Sequence, residues 1–135
     1  MIRPVSKPMP GRIYDGFVPG RHQIDAYGNG GFRFAEMSHR GSIVVLPSGI
    51  RAWDVTSPAG FNADAFAPVL AEAGEIEILL VGTGRDAAAF PAALRQLFRE
   101  AGIGLDVMQT GAAARTYNVL VAENRKVAAA LIAVD

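Results

Sequence analysis

The residues that most resemble a ligand-binding motif form a glycine-rich turn, Gly82-Thr83-Gly84, directly after an apolar run typical of a buried strand. Asp106 follows about twenty residues later, which is the spacing of a dinucleotide-binding fingerprint. In that fingerprint the turn leads at once into a helix whose N-terminus faces the pyrophosphate. Pro91 delays the next predicted helix, because the residue before a proline disfavours helical dihedral angles. The sequence therefore argues against a dinucleotide site.

A smaller ligand is compatible with the same turn. Its backbone N–H groups lie at the carboxyl end of a predicted interior strand, where α/β proteins commonly bind anions and carboxylates. Arg85 or Arg115 could add a positive charge to such a site. The favoured explanation is a turn whose glycines let neighbouring chain segments pass closely. The alternative is a small-molecule or anion site, for which the candidate ligand-binding residues are Gly82, Thr83, Gly84, Arg115, Tyr117 and Asn118.

The segment Arg115-Thr116-Tyr117-Asn118 lies in the middle of a predicted helix, although these residues are poorer helix formers than the alanines before them. The favoured explanation is structural. In that case Tyr117 packs in the core with its hydroxyl bonded, while Asn118 or Arg115 holds the backbone of a neighbouring loop. In the alternative, the three side chains converge on the glycine turn and complete the ligand site.

The residue types of this chain give little support for a metal site or for covalent catalysis. The chain has no cysteine, which excludes thiolate ligands and cysteine nucleophiles. Its two histidines, His22 and His39, are predicted in loops, where Asp15 or Asp25 could join them, but two separated histidines do not define a zinc site. No serine-hydrolase elbow or Walker loop is present. We predict no metal and no cofactor, we identify no catalytic residue, and we favour a protein without enzymatic activity.

Charge and hydropathy narrow the classes of partner. Thirteen lysines and arginines balance thirteen aspartates and glutamates, so no net positive field attracts nucleic acid. The most apolar stretch, residues 127–134, is far shorter than the roughly 20 residues that span a bilayer. Residues 1–11 contain three prolines and no apolar signal segment. We expect a cytoplasmic protein with no membrane insertion.

Four aromatic residues could serve either the core or a partner. Aromatic side chains dominate the energetics of protein interfaces, so an exposed group of them would indicate a binding patch. Core packing is the simpler expectation for each one. These residues are Trp53, Phe61, Phe66 and Phe90.

Two β-hairpins are predicted in the first half of the chain, where glycine and proline recur too often for helices to propagate. Each has a turn of residues that accept unusual dihedral angles. The first joins residues 24–27 to residues 32–34 through Gly28-Asn29-Gly30-Gly31, and the second joins residues 42–46 to residues 50–55 through Pro47-Ser48-Gly49.

The second half alternates strands and helices, which predicts helices packed on a largely parallel or mixed sheet. The fold class is α/β: N-terminal β-hairpins followed by β-α-β-α-β, in a single domain at residues 12–135 after an extended segment at residues 1–11. The predicted strands are residues 76–81, 105–108 and 126–134. The predicted helices run from Asn62 or Asp64 to Gly74, from Pro91 to Gly102, and from a Thr110 cap to about Glu123.

Several short motifs occur together in this chain: Ile24-x-x-Tyr27-Gly28-x-Gly30-x-Phe32, Gly41-Ser42-Ile43 with Pro47, Trp53, Gly82-Thr83-Gly84, Met108-x-Thr110, Arg115-Thr116-Tyr117-Asn118 and Glu123-x-Arg125. Together they resemble the Mth-type domain family, whose members have no assigned chemistry. The resemblance extends from about residue 12 to the end of the chain, and it is most specific at Arg115-Thr116-Tyr117-Asn118. It implies a central mixed sheet in which some strands pair antiparallel.

The resemblance also has implications for function. The family includes mitochondrial relatives that assist assembly of respiratory complex I and an animal relative linked to adipocyte differentiation, and neither supplies a catalytic mechanism. The leading hypothesis is therefore a non-enzymatic protein-interaction module whose partners are respiratory-complex subunits or assembly factors. The alternative is a small-ligand site or an uncharacterised enzyme, and a homo-oligomer is a third possibility.

Overall fold

The computed structural model describes residues 16–135. The predicted extended segment at residues 1–11, and Asp15, lie outside the described residues. The helices are α1 (Ala67–Ala71), α2 (Ala92–Glu100) and α3 (Thr110–Ala122). The strands are β1 (Phe17–Pro19), β2 (Ala26–Gly28), β3 (Gly31–Phe34), β4 (Met37–Arg40), β5 (Ser42–Leu46), β6 (Gly49–Trp53), β7 (Ile78–Gly82), β8 (Gly104–Met108) and β9 (Val127–Leu131).

The strands form a large mixed sheet and a small antiparallel one. The six-stranded sheet has the order β1-β6-β5-β9-β7-β8, and the three-stranded sheet has the order β2-β3-β4. In the large sheet β7 is parallel to both β8 and β9, whereas β5 is antiparallel to both β6 and β9. This arrangement confirms the predicted α/β fold with a central mixed sheet.

Both predicted hairpins are present. β2 and β3 are joined by Asn29 and Gly30, whose φ angles of 53° and 79° are those of the turn that matches the twist of a hairpin. β5 and β6 are joined by Pro47 and Ser48, with Leu46 opposite Gly49. A third hairpin, between β3 and β4, was not predicted, and it places His39 in a strand and not in a loop.

Strand alternation divides the core between the two faces of the large sheet. On one face α1 and α2 pack over an aromatic group in which each side chain is at most 8% exposed: Trp53, Phe61, Phe66, Phe90 and Phe98. Trp53 meets Phe66 edge-on with ring centroids 5.4 Å apart. These aromatic residues are therefore core residues, as expected for each one. The alternative hypothesis, an exposed binding patch built from them, is wrong.

The other face carries α3 and the small sheet. Ala113 and Tyr117 of α3 and Phe32 and Phe34 of β3 pack against the side chains of β5, β7 and β9 that point to this side. Both faces of the interior strands are thus covered, which explains why β7 and β9 are continuous apolar runs. Among residues 16–135, no helix has the length and apolarity needed to cross a bilayer.

The first predicted helix is shorter than expected. α1 begins at Ala67 with Phe66 at the N-cap, and no side chain caps it. Pro68 explains this start, because proline fits the first turn of a helix and disrupts its interior. Asn62 instead accepts a hydrogen bond from Ala65 N in the turn before the helix (2.9 Å). Gly74 lies in a separate 3-10 turn, Ala73–Glu75, and does not end α1.

Candidate functional site

The glycine turn after β7 is bonded to the start of α3. Gly84 N donates to the hydroxyl of Thr110 (2.9 Å), and that hydroxyl donates to the carbonyl of Ile132 (2.7 Å). Thr83 N donates to the carbonyl of Met108 (2.9 Å). The N–H groups of Thr83 and Gly84, which were predicted to hold an anion, therefore have acceptors within the protein.

Thr110 was predicted to cap α3, and this assignment is wrong. Gln109 is the N-cap residue, and its side chain accepts a hydrogen bond from Gly111 N (3.1 Å). Thr110 is the first helical residue and is fully buried. Its hydroxyl is free to bond the turn and the C-terminal strand because Gln109 takes over the capping role.

Gly82 and Gly84 are required by close packing and by backbone conformation. A Cβ at Gly82 would lie 2.9 Å from Thr110 Cα and 3.0 Å from Leu131 Cδ2. Gly84 has a φ of 107°, which side chains other than glycine rarely adopt. The turn is thus shaped by its contact with α3.

The chain directly beyond the turn lacks the helix that a dinucleotide fingerprint requires. The hydroxyl of Thr83 donates to the carbonyl of Asp86 (2.6 Å), and the chain continues without regular structure until α2 begins at Ala92. Arg85 is exposed in this loop, and Asp106 is exposed on β8. No helix N-terminus follows the glycines directly, as Pro91 predicted.

Tyr117 and Asn118 bind the segment that leads into β2. The hydroxyl of Tyr117 donates to the carbonyl of His22 (2.9 Å). Asn118 exchanges two hydrogen bonds with the backbone of Ile24, each of 2.8 Å. Burial raises the pKa of Tyr117 to about 12, although the nearby Arg21 acts in the opposite direction. Both side chains hold a neighbouring segment, as the structural explanation of Arg115-Thr116-Tyr117-Asn118 predicts.

Arg115 lies on the outer side of α3 beside Tyr27. Its guanidinium donates to the Tyr27 hydroxyl (3.2 Å), and the Tyr27 ring end lies where a Cβ of Gly111 would be. One turn further along, Val119 is 57% exposed, and Tyr27 is 39% exposed. Among residues 16–135 these two are the exposed large hydrophobic side chains. We call Tyr27, Arg115 and Val119 the α3 surface.

The structure thus separates the predicted site residues by their hydrogen bonds into two groups and the single residue Arg115. The glycine turn bonds to Thr110, whereas Tyr117 and Asn118 bond to residues 22–24. Arg115 bonds to neither group but to Tyr27. Sequence reasoning missed Tyr27 and Val119 as surface residues. Val119 could have been noticed, because it lies one helical turn after the charged residue Arg115.

The histidines are in different environments. His22 bonds to the carbonyl of Pro19 (3.0 Å), whereas His39 is buried in β4 beside Phe34 and bonds to the carbonyl of Ser42 (3.3 Å). Burial lowers the pKa of His39, and the Ser42 hydrogen bond partly offsets this effect. Within residues 16–135 no three His, Cys, Asp or Glu side chains are grouped as metal ligands require.

Comparison with known proteins connects this geometry to a family. The family model "Protein of unknown function (DUF498/DUF598)" matches residues 24–132. An uncharacterized protein of Rhodobacter capsulatus is 39% identical over 113 residues, which are 84% of this chain and 86% of that protein. NADH dehydrogenase (ubiquinone) 1 alpha subcomplex assembly factor 3 from Xenopus tropicalis and from Homo sapiens are each 33% identical over 109 residues. The match covers 81% of this chain and 60% and 59% of those two proteins.

Solved structures agree with the fold. The crystal structure of an outer membrane protein from Bartonella henselae has a TM-score of 0.84 and 56% identity, over 87% of this chain and 98% of that one. A Bordetella pertussis protein described as a Mth938-like domain has a TM-score of 0.74 and 27% identity, over 90% and 92%. These similarities confirm the resemblance to the Mth-type domain. The chain spans about three fifths of the assembly factors that it matches.

Proposed function

We propose that this chain, which belongs to the DUF498/DUF598 family of proteins of unknown function, is a non-enzymatic interaction module that assists assembly of a respiratory NADH dehydrogenase. The observation that carries this proposal is the 33% identity to complex I assembly factors along 81% of the chain. The residues that the family model matches, 24–132, include the whole of both sheets except β1, and they include α3. We further propose that the protein acts in the cytoplasm, on subunits that have not yet joined the membrane complex.

The α3 surface is the proposed contact with a protein partner. Arginine and tyrosine are enriched at the centres of protein interfaces, because they combine a large contact area with directional hydrogen bonds. Arg115 has one hydrogen-bond partner among residues 16–135, the Tyr27 hydroxyl, so most of its donors are available to a partner. Val119 adds an exposed apolar contact one helical turn away.

The experiment is deletion of the gene in the native cell, followed by complementation. Membranes are separated on a native gel, and the assembled NADH dehydrogenase is measured by in-gel activity. Deletion should reduce the assembled enzyme, and the wild-type chain should restore it. Arg115→Glu should restore it poorly, because the reversed charge opposes a partner that the guanidinium attracts.

Arg99→Glu is the matched control, since Arg99 is also exposed but lies on α2, on the opposite face of the sheet. This variant should restore the enzyme as well as the wild-type chain does. If the deletion strain contained as much assembled NADH dehydrogenase as the wild type, the proposal would be wrong.

A small-ligand site formed by Gly82, Thr83, Gly84, Arg115, Tyr117 and Asn118 stays a prediction. The position of the turn at the carboxyl end of β7 supports it. The internal hydrogen bonds of Thr83 and Gly84 count against it. Titration of the isotope-labelled chain with phosphate and with acetate tests it, because a bound anion would shift the amide resonances of these two residues.

A further inference from the structure

Among the described residues, one edge of the large sheet has no neighbouring strand. β8 is the last strand in the sheet order, and among residues 16–135 it pairs with β7 alone. Gly104 N donates to the carbonyl of Glu77, and Thr83 N donates to the carbonyl of Met108, both at 2.9 Å. Alternate residues of a parallel strand direct both backbone groups to the same neighbour, so Leu105 and Val107 direct theirs away from β7. We call the N–H and C=O groups of these two residues the β8 edge.

The opposite edge of the sheet is protected. β1 has three residues and ends at Pro19, and a short strand with a proline is a common way to prevent further pairing. β8 has five residues, with neither proline nor lysine among them. The two edges therefore differ in their ability to accept another strand.

The side chains of β8 provide apolar contacts on both sides of the strand. Leu105 and Val107 are partly buried against the core that α2 covers. Met108 is partly buried against the core that α3 covers, and its sulphur lies 3.9 Å from the hydroxyl of Thr116. A strand added beside β8 would bury more of all three apolar side chains.

Asp106 determines which kind of strand fits. Its side chain is exposed at the middle of β8, and its carboxylate makes no hydrogen bond or ion pair with the residues that the structure describes. A second copy of the chain is disfavoured, because the antiparallel pairing that overlaps all of β8 would place two Asp106 carboxylates opposite each other. A basic residue opposite Asp106 would be favourable for the same reason.

We propose that the β8 edge binds an extended segment of a partner protein, in which a lysine or arginine stands between two apolar residues. The basic residue faces Asp106, and its two neighbours face the side of Leu105 and Val107, because successive side chains of a strand alternate. The backbone of the segment bonds to the β8 edge as a seventh strand. This binding site is separate from the α3 surface and does not depend on the proposed role in assembly.

The test is selection of peptides from a random displayed library on the purified full chain, with the Asp106→Lys variant used for counter-selection. Enriched peptides should contain a basic residue between apolar residues. Their affinity should fall by roughly threefold to tenfold in Asp106→Lys, given the energies of cross-strand charge pairs. Asp64→Lys is the matched control, since Asp64 is exposed in the turn before α1, and it should leave the affinity unchanged.

Two further measurements locate the peptide. Hydrogen exchange of the Leu105 and Val107 amides should slow when a selected peptide is bound. Val107→Pro should abolish binding but retain the fold, because the Val107 N–H makes no bond to β7 and the strand dihedral angles accept proline. Failure to enrich such peptides overturns the proposal. Equal binding to Asp106→Lys and Asp64→Lys without protection of the two amides also overturns it.

Discussion

Thr110 and Gly84 bond to each other in both directions: Gly84 N donates to the Thr110 hydroxyl (2.9 Å), and Thr110 N donates to the Gly84 carbonyl (2.8 Å). The Thr110 hydroxyl also donates to the carbonyl of Ile132. One buried side chain therefore connects the loop after β7, the first turn of α3 and the chain just after β9.

Thr110→Val should destabilise the protein by about 1–3 kcal/mol, because it leaves the buried Gly84 N–H without an acceptor while keeping nearly the same volume. Urea unfolding followed by circular dichroism measures the change. Thr110→Ser retains the hydroxyl and should cost less than Thr110→Val. Equal stability of the wild-type chain and Thr110→Val would contradict a structural role for this hydroxyl.

Gly82→Ala should also destabilise the fold, by about 1–3 kcal/mol, because the added methyl group would press on the backbone of Thr110 and on Leu131. The control is Gly74→Ala, where, among residues 16–135, no atom beyond the glycine and its chain neighbours lies within 4 Å of the added Cβ. That control should change the free energy of unfolding little. Thermal unfolding of both variants, side by side, checks the difference.

Gly111→Ala should have a different effect, although Gly111 is also buried. The added methyl group would meet the hydroxyl end of the Tyr27 ring, which can move into solvent because Tyr27 is partly exposed. We expect unfolding stability within about 1 kcal/mol of the wild-type chain, since alanine also favours a helix. Tyr27 should lose its contact with Arg115, and NMR shifts of the Tyr27 ring would report this change. A loss of stability as large as that of Gly82→Ala would show that Tyr27 is fixed.

Tyr117→Phe should reduce the loss of folding stability that occurs as the pH rises above 10. The pKa of Tyr117 is raised to about 12 in the folded protein, against an ordinary value of 10.0, so the unfolded chain ionises first. The contribution of this group is fully present below pH 10 and is lost as the pH rises through about 12, with a total on the order of 2–3 kcal/mol. Urea unfolding at pH 8 and above pH 10 should show a smaller loss in the variant. Identical losses in the two proteins would contradict the assignment.

Residue patterns predicted the second half of the fold well. Gly82, Pro91 and Gly102 mark the ends of β7 and α2 in the structure as they do in the sequence. Local patterns also predicted the two hairpins whose turns contain glycine or proline, because these residue types mark turns in the sequence. They did not predict β4, because its turn is formed by Ala35 and Glu36, whose φ angles of 50° and 62° have no glycine or asparagine to signal them.

The candidate site was harder to predict than the fold. The types of Tyr117 and Asn118 indicated buried polar contacts, but not that their partners would be His22 and Ile24, more than ninety residues away. The role of Thr110 was missed because Ser, Thr, Asp and Asn before a helix usually cap it. In the structure Gln109 caps α3 instead, and the Thr110 hydroxyl bonds to Gly84 and Ile132.

The position of β9 has a consequence for biosynthesis. The antiparallel strands β1, β6 and β5 and the parallel strands β7 and β8 meet only across β9. During translation, therefore, the ribosome must release residues 127–131 before the two halves of the sheet can join. Until then the edges of β5 and β7 that face β9 have no neighbouring strand. Nascent chains in this state are prone to aggregation and to capture by chaperones.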